Sequence, residues 1–268
     1  MSRKSSSSSS ASSGDGAKKD KTKKKDKSKK KQAKKESDSA EAVLATLGTL
    51  DFIMLRQPRS IKAIDSHKKW HNKFQLHIND EAPILFAGEV DKPSSRFLMG
   101  ANRPFEIDIV DYAQNNCIKV IRPGTMNAVA WCGAAIRDQV LVESPKKEKI
   151  GTVRQLPGTR RPHLEVLDSG DVKLFEIVRP EKETTKKWIA SQEFEVRDAQ
   201  GKAKLSSIIR SFAACAEKRH TDADEFFINF PPNVNRDSKA VLLAATFLLE
   251  YMFFEHSNNH STETAKNV

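Results

Sequence analysis

Residues 240–254 are apolar around every face of a helix and carry a single charge, Glu250. A helix of that kind has no side to show to water and must be surrounded. Fifteen residues at 1.5 Å each reach ~22 Å, short of the ~30 Å hydrocarbon core of a bilayer. A lone carboxylate such as Glu250 is also costly in lipid unless it has a partner. The stretch therefore calls for a protein wall around it, one that can offer Glu250 a donor. The helix itself is expected over 238–255, with Asp237 or Ser238 as its N-cap, because their oxygens can accept from a free backbone N–H.

The remainder of the chain supplies wall. Apolar and polar residues alternate over 74–78, 105–109, 172–177, 194–196 and 226–230, the period of a strand with one buried face. Shorter candidates lie at 84–89, 96–99, 117–122, 139–143, 149–154, 163–167 and 204–210, giving about twelve strands separated by turn residues such as Asn79-Asp80, Ser169-Gly170 and Gln200-Gly201. A weak repeat runs through them: an aromatic or His opens an alternating strand, Asp or Asn closes it, and a second strand follows after a short turn. Repeated hairpins without a βαβ pattern predict a mainly β fold, an antiparallel meander closed into a barrel, since closure removes exposed edges. Twelve strands leave a lumen too wide for strand side chains alone, and the hydrophobic C-terminal helix would fill it. One other helix is expected, over 41–50, with Val43, Leu44 and Leu47 on one face.

Charge is unevenly shared. Residues 1–38 carry 14 Lys/Arg against 5 Asp/Glu and no aliphatic side chain larger than Ala after Met1. Such a segment cannot bury enough apolar surface to offset its chain entropy. The organisation expected is a disordered Lys/Ser-rich tail over 1–40, a barrel domain over 41–256 and a disordered tail over 257–268. The rest of the chain is close to neutral, which argues against direct nucleic-acid binding by the body. The tail suits an anionic membrane surface, at ~1 kcal/mol per basic residue near the headgroups, or a nuclear import receptor, or simple solubility. Phosphorylation in its run of serines would weaken either electrostatic role. No apolar run follows Met1, and Ser2 in place of Gly removes N-myristoylation. Three cysteines, Cys117, Cys132 and Cys215, make no disulfide framework and fit a reducing cytoplasm or nucleus.

Enzyme signatures are missing: there is no Gly-rich phosphate loop, no G-x-S-x-G and no H-E-x-x-H. His67, His71 and His77 are unevenly spaced around a strand and read as surface residues rather than zinc ligands. Asp222 and Asp224 stand two residues apart before the 226–230 strand. Carboxylates so placed can reach one hard cation, with Glu225 or Asn233 contributing, or can cap a turn. A non-ideal loop with few carboxylates implies weak binding, ~10⁻⁴–10⁻³ M. Cys132, in Trp131-Cys132-Gly133, is a candidate for acylation or for burial.

Several segments resemble the phospholipid scramblase family: Leu50-Asp51-Phe52-Ile53, Arg103-Pro104-Phe105, Arg122-Pro123, Gly151-Thr152-Val153, Thr221-Asp222-Ala223-Asp224, Ile228-Asn229-Phe230-Pro231 and Phe253-Phe254-Glu255. The likeness covers about 48–256. It implies a tubby-like barrel of twelve strands around the C-terminal helix, and calcium-activated, ATP-independent, bidirectional movement of phospholipids between leaflets at the cytoplasmic face of the plasma membrane. The calcium positions it implies are Asp222, Asp224, Phe226, Ile228, Phe230 and Asn233. Asn233 departs from the family's usual Asp, and the family's palmitoylated cysteine cluster is reduced to Cys132. A module that docks on membranes or acts in the nucleus without moving lipid is the alternative.

Overall fold

The computed structural model describes residues 38–58, 70–90, 104–123, 138–156, 162–180, 191–211 and 223–254. A helix α1 over 38–49 precedes twelve strands. These are β1 (Phe52–Pro58), β2 (Trp70–His77), β3 (Leu85–Val90), β4 (Phe105–Val110), β5 (Asn116–Arg122) and β6 (Gln139–Glu143), then β7 (Lys149–Gln155), β8 (His163–Asp168), β9 (Lys173–Val178), β10 (Ser191–Arg197), β11 (Lys204–Ser211) and β12 (Ala223–Asn229). Helix α2 (Arg236–Phe253) ends the described chain. Each strand pairs antiparallel with its sequence neighbours, and β1 pairs with β12 to close the barrel. The chain divides into two units, and all twelve strands and α2 belong to the one that runs from Ser39 to Val268.

Alternation produces the wall. In β10 every second residue is buried, Gln192, Phe194 and Val196 pointing in. Inward residues of the other strands, among them Ile107, Val120, Val153, Leu164 and Ile208, are fully buried and meet α2 in one continuous core. From Ser238 to Tyr251 every residue of α2 is buried. Phe247 packs edge-on against Phe74 of β2, centroids 5.3 Å apart, and Tyr251 stacks on Phe105 of β4 at 4.3 Å. Gly151 lets β7 approach the helix: a Cβ there would lie 2.4 Å from Val241 Cγ2 and 2.6 Å from the Leu167 carbonyl oxygen. Among the described residues no helix is long and apolar enough to cross a membrane.

The strand count agrees with the sequence reading, but its membership differs. β1 was not foreseen, because Ile53, Met54 and Leu55 are all buried and the period of two is hidden. The expected strand at 96–99 lies outside the described residues. The α2 cap also differs from expectation. Asn235, in an extended backbone (φ −70°, ψ 165°), accepts from the Ser238 N–H at 2.8 Å, so Ser238 is the donor rather than the cap. Asp237 lies in the first turn, where the helix dipole favours a negative charge.

The meander gives the barrel two unlike ends. At one end, connections of four to seven residues join the strands: 78–84, 111–115, 144–148, 169–172 and 198–203, with 230–235 leading into α2. This is the turn end. At the other, the connections 59–69, 91–104, 123–138, 156–162, 179–190 and 212–222 run from seven to sixteen residues. This is the loop end, and α2 points its C-terminus toward it.

Candidate functional site at the loop end of the barrel

Inside the loop end the apolar core gives way to charge. Strand parity sends Arg210 of β11 inward two residues after Ile208, and Glu89 of β3 inward two residues after Ala87. Arg210 is 1% exposed, and its Nε stands 3.7 Å from Glu250 Oε2 on α2. Its guanidinium also lies 3.9 Å from the centroid of the Phe254 ring and 5.7 Å from that of Phe226. One residue on, the Tyr251 hydroxyl donates to Glu89 Oε2 at 2.8 Å. Asn72 of β2 donates to both, at 3.0 Å to Glu89 and 3.2 Å to the Tyr251 oxygen. Arg122 of β5, also buried, pairs with Asp138 and faces the Phe105 ring at 5.8 Å.

The opposite charge that an enclosed Glu250 requires is therefore present, and it comes from the barrel. The last turn of α2 has no basic residue of its own, so Arg210 also supplies the positive charge that suits a helix C-terminus. Arg210, Glu89 and Asn72 were not singled out from sequence. Parity along β11 and β3 marks the first two as inward; Asn72 sits where the β2–β3 register shifts between Trp70 and Lys73, and no sequence pattern reveals that.

The turn end holds α2 by other means. Lys239, 5% exposed, donates from Nζ to the carbonyls of Gly48 and Leu50, at 2.7 and 2.6 Å, at the end of α1. Arg236 pairs with Glu41 of α1 at 2.6 Å, while Ala40, Leu44 and Leu47 bury α1 against the core.

Of the six candidate calcium positions, those with described side chains, Phe226, Ile228, Phe230 and Asn233, are spread along β12 and beyond its end. Asp222 lies outside the described residues. Of Asp224, the backbone sits opposite Gln57 near the loop end of β12. Phe226, Ile228 and Phe230 bury their side chains in the core, and at Phe226 and Ile228 the strand pairs on both sides, with β1 and β11. Asn233, at the turn end, has a left-handed backbone (φ 59°), a conformation asparagine enters readily. About 17 Å of strand separates the Asp224 backbone from the end of β12 that leads to Asn233, at ~3.4 Å per residue. Glu225, the other suggested contributor, is buried and paired with Arg56 at 2.8 Å. Among the described residues there is no group of three or more His, Cys, Asp and Glu able to hold a metal.

Cys132 and Cys215 lie outside the described residues; Cys132 belongs to the β5–β6 connection, at the loop end. Cys117 is a free, buried cysteine whose thiol pKa burial pushes up to about 12, which makes it unreactive. His77 is not the surface residue expected. It is 5% exposed, its Nδ1 lies 2.9 Å from the Glu81 carbonyl oxygen, and burial lowers its pKa. His67 lies outside the described residues.

Comparison with known proteins places this barrel. The family model described as Scramblase matches residues 31–256. Phospholipid scramblase 1 of Mus musculus is 23% identical over 216 residues, covering 81% of this chain and 65% of the relative. Phospholipid scramblase family member 5 of Homo sapiens is 25% identical over 214 residues, covering 80% of this chain and 78% of the relative. Phospholipid scramblase 2 of Homo sapiens is 25% identical over 215 residues, 80% and 71% of the two chains. The chain thus spans a little less than two thirds of the length of the mouse relative. No solved structure matches it. With the family model covering most of its length, this chain belongs to the scramblase family.

Proposed function

We propose that this protein moves phospholipids between the two leaflets of a membrane, in both directions and without ATP, and that calcium activates it. The observation that carries the reading is the family match over 31–256, which takes in the whole barrel and α2. The relatives' name, phospholipid scramblase, supplies the substrate class. The site of action is the cytoplasmic face of the plasma membrane, approached through phospholipid headgroups.

Calcium in this reading rests on Asp222 and Asp224, the two carboxylates adjoining the start of β12. Phe226, Ile228 and Phe230 offer at most main-chain oxygens, and Asn233 belongs to the other end of the strand. Two carboxylates two residues apart, the second in β12, predict an affinity of ~10⁻⁴–10⁻³ M. The basic tail over 1–38 and an acylated Cys132 would be two membrane attachments, since single signals give only marginal binding.

The test is reconstitution of the purified full chain in liposomes carrying a fluorescent lipid, with and without calcium. Accelerated access of the inner-leaflet probe to an external quencher is expected only with calcium, and Asp222→Asn with Asp224→Asn should remove that response while the circular dichroism stays unchanged. Transfer no faster than in protein-free vesicles would remove the transport reading. A second reading, a membrane-docking or nuclear module without transport, is favoured by one feature: α2 fills the barrel, with every residue from Ser238 to Tyr251 buried.

A further inference from the structure

Where α1 meets the turn end of the barrel it leaves a pocket. Val43, Thr46, Leu47 and Leu50 face Ile84 and Leu85, where the β2–β3 turn enters β3, across about 130 Å³. Thr46 alone of these six has a polar side chain, and its hydroxyl turns back to donate to the Ala42 carbonyl at 3.0 Å. A space of this size in apolar surroundings holds one benzene-sized group, which is to say one large side chain.

The surroundings suit an incoming anchor. The exposed positions of α1 from 42 to 49 are Ala42, Ala45, Thr46 and Thr49, none of them charged or long. Thr49 also spends its hydroxyl on its own helix, on the Thr46 carbonyl at 2.8 Å. Beside the pocket stand Phe52, 38% exposed and two positions beyond Leu50, and Tyr112, 63% exposed. Tyr112 is held in place: its hydroxyl donates to the carbonyl of Pro83, next to Ile84, at 2.5 Å, and its ring meets Phe86 edge-on at 5.2 Å. A fixed, exposed aromatic beside a pocket for one side chain loses little entropy on binding, as at the hot spots of protein interfaces.

Charge selects the occupant. The segments around the pocket, 39–51, 78–84 and 111–115, hold Glu41, Asp51, Asp80, Glu81 and Asp111 and no Lys or Arg. Arg236 answers Glu41 at 2.6 Å and Arg56 answers Asp80 at 2.5 Å, while Asp51 and Glu81 are exposed. This rim repels an anionic bilayer. A second copy would set carboxylates against carboxylates across a two-fold axis. We propose that the pocket docks a partner protein through a segment offering one large apolar side chain with Lys or Arg on either side. Residues 2–38 bring lysines without the anchor, since none has an apolar side chain larger than Ala. The inference goes beyond the lipid reading and does not depend on it.

The probe is a short labelled peptide with a central phenylalanine between pairs of lysines, titrated with the full chain and followed by fluorescence anisotropy. It should bind at least roughly tenfold more tightly than the same peptide with alanine at its centre, the factor expected for burying one large apolar side chain. Thr46→Leu, which fills the pocket with a better helix former, should abolish that difference. Tyr112→Ala, which leaves the pocket open, should weaken the phenylalanine peptide by roughly fivefold. Asp51→Asn with Glu81→Gln should weaken both peptides by roughly threefold and flatten the salt dependence. Val172→Ser with Leu205→Ser, at exposed apolar positions elsewhere on the turn end, should change nothing. Equal binding of the two peptides by the parent overturns the proposal, as does a folded Thr46→Leu chain that still prefers phenylalanine. Should Thr46→Leu lose its circular dichroism, Tyr112→Ala decides, and an unweakened peptide there overturns the proposal too. Binding to phosphatidylcholine vesicles, or self-association in sedimentation, that Thr46→Leu removes while both peptides bind as before would make lipid or a second copy the occupant instead.

Discussion

The two ends of α2 are held by different physics. At the turn end the chain leaves β12 through Pro231-Pro232-Asn233, is capped by Asn235, and is tied by Lys239 to the carbonyls of α1. The cap is local, the Lys239 bonds reach back 191 and 189 positions, and together they satisfy backbone groups that a helix start and a helix end leave open. At the loop end the partners of Glu250 and Tyr251 are side chains instead, Arg210, Glu89 and Asn72, each buried or half-buried. There the helix is fixed by charge and hydroxyl groups withdrawn from water, where breaking one partner is far more costly than replacing both. The turn end thus rests on a backbone cap and one buried lysine that serves carbonyls, and the loop end on several buried side chains that serve one another.

Between them lies a common apolar middle, and Phe247→Ala should have the largest effect on folding, ~3–5 kcal/mol, because it empties a site packed on Phe74. Denaturant unfolding should then remain a single transition; separate transitions for the two ends would break the picture of one core. Arg210→Ala should follow closely, at ~3–5 kcal/mol, by stranding Glu250 in the core. The double change Arg210→Met with Glu250→Leu should recover most of that loss. A double variant as unstable as the single would mean that Arg210 acts mainly through Phe254 and Phe226 rather than through charge.

The turn end should respond less. Asn235→Ala is expected to cost about 1 kcal/mol, and Asn235→Asp to restore it, since either side-chain oxygen serves the Ser238 N–H. A loss comparable with that of Arg210→Ala would erase the difference between the ends. Acid should act more weakly still, through His77. Burial, with a smaller push from Arg56, holds its pKa below 6.5. Its stabilising contribution is therefore full above the unfolded value of ~6.5 and is lost as the pH falls from there toward the folded value. His77→Gln should flatten the stability profile in that window and leave it unchanged above pH 8. The smallest effect expected is none at all: Asn233→Asp should leave calcium titration as it is in the parent, because Asn233 stands at the opposite end of β12 from Asp224. Tighter binding in that variant would place the cation at the turn end.

Much of the fold was legible in the residues because its constraints are local. Alternation along β10 records a wall with one dry face, and the all-round apolarity of 240–254 required an enclosure that a twelve-stranded barrel provides. Glu250 within that stretch called for a partner from the wall, and Arg210 is its charged partner. Where both faces of a strand are dry the period vanishes, which is why β1 escaped notice, with Ile53, Met54 and Leu55 all buried. The cap was placed two to three residues late because Asp237 and Ser238 have the same capping chemistry as Asn235, and only the backbone angles distinguish them.

By itself, then, the sequence determined the kind of enclosure and the need for a buried partner, since hydrophobic period and length act within one element. What only the tertiary structure decided is which residues meet. Asp224 and Asn233, nine positions apart and easily read as one loop, are divided by the length of a strand. Glu89 and Tyr251, 162 positions apart, share a 2.8 Å hydrogen bond. A closed meander sends alternate connections to opposite ends, and that sorting is a property of strand direction that composition does not contain.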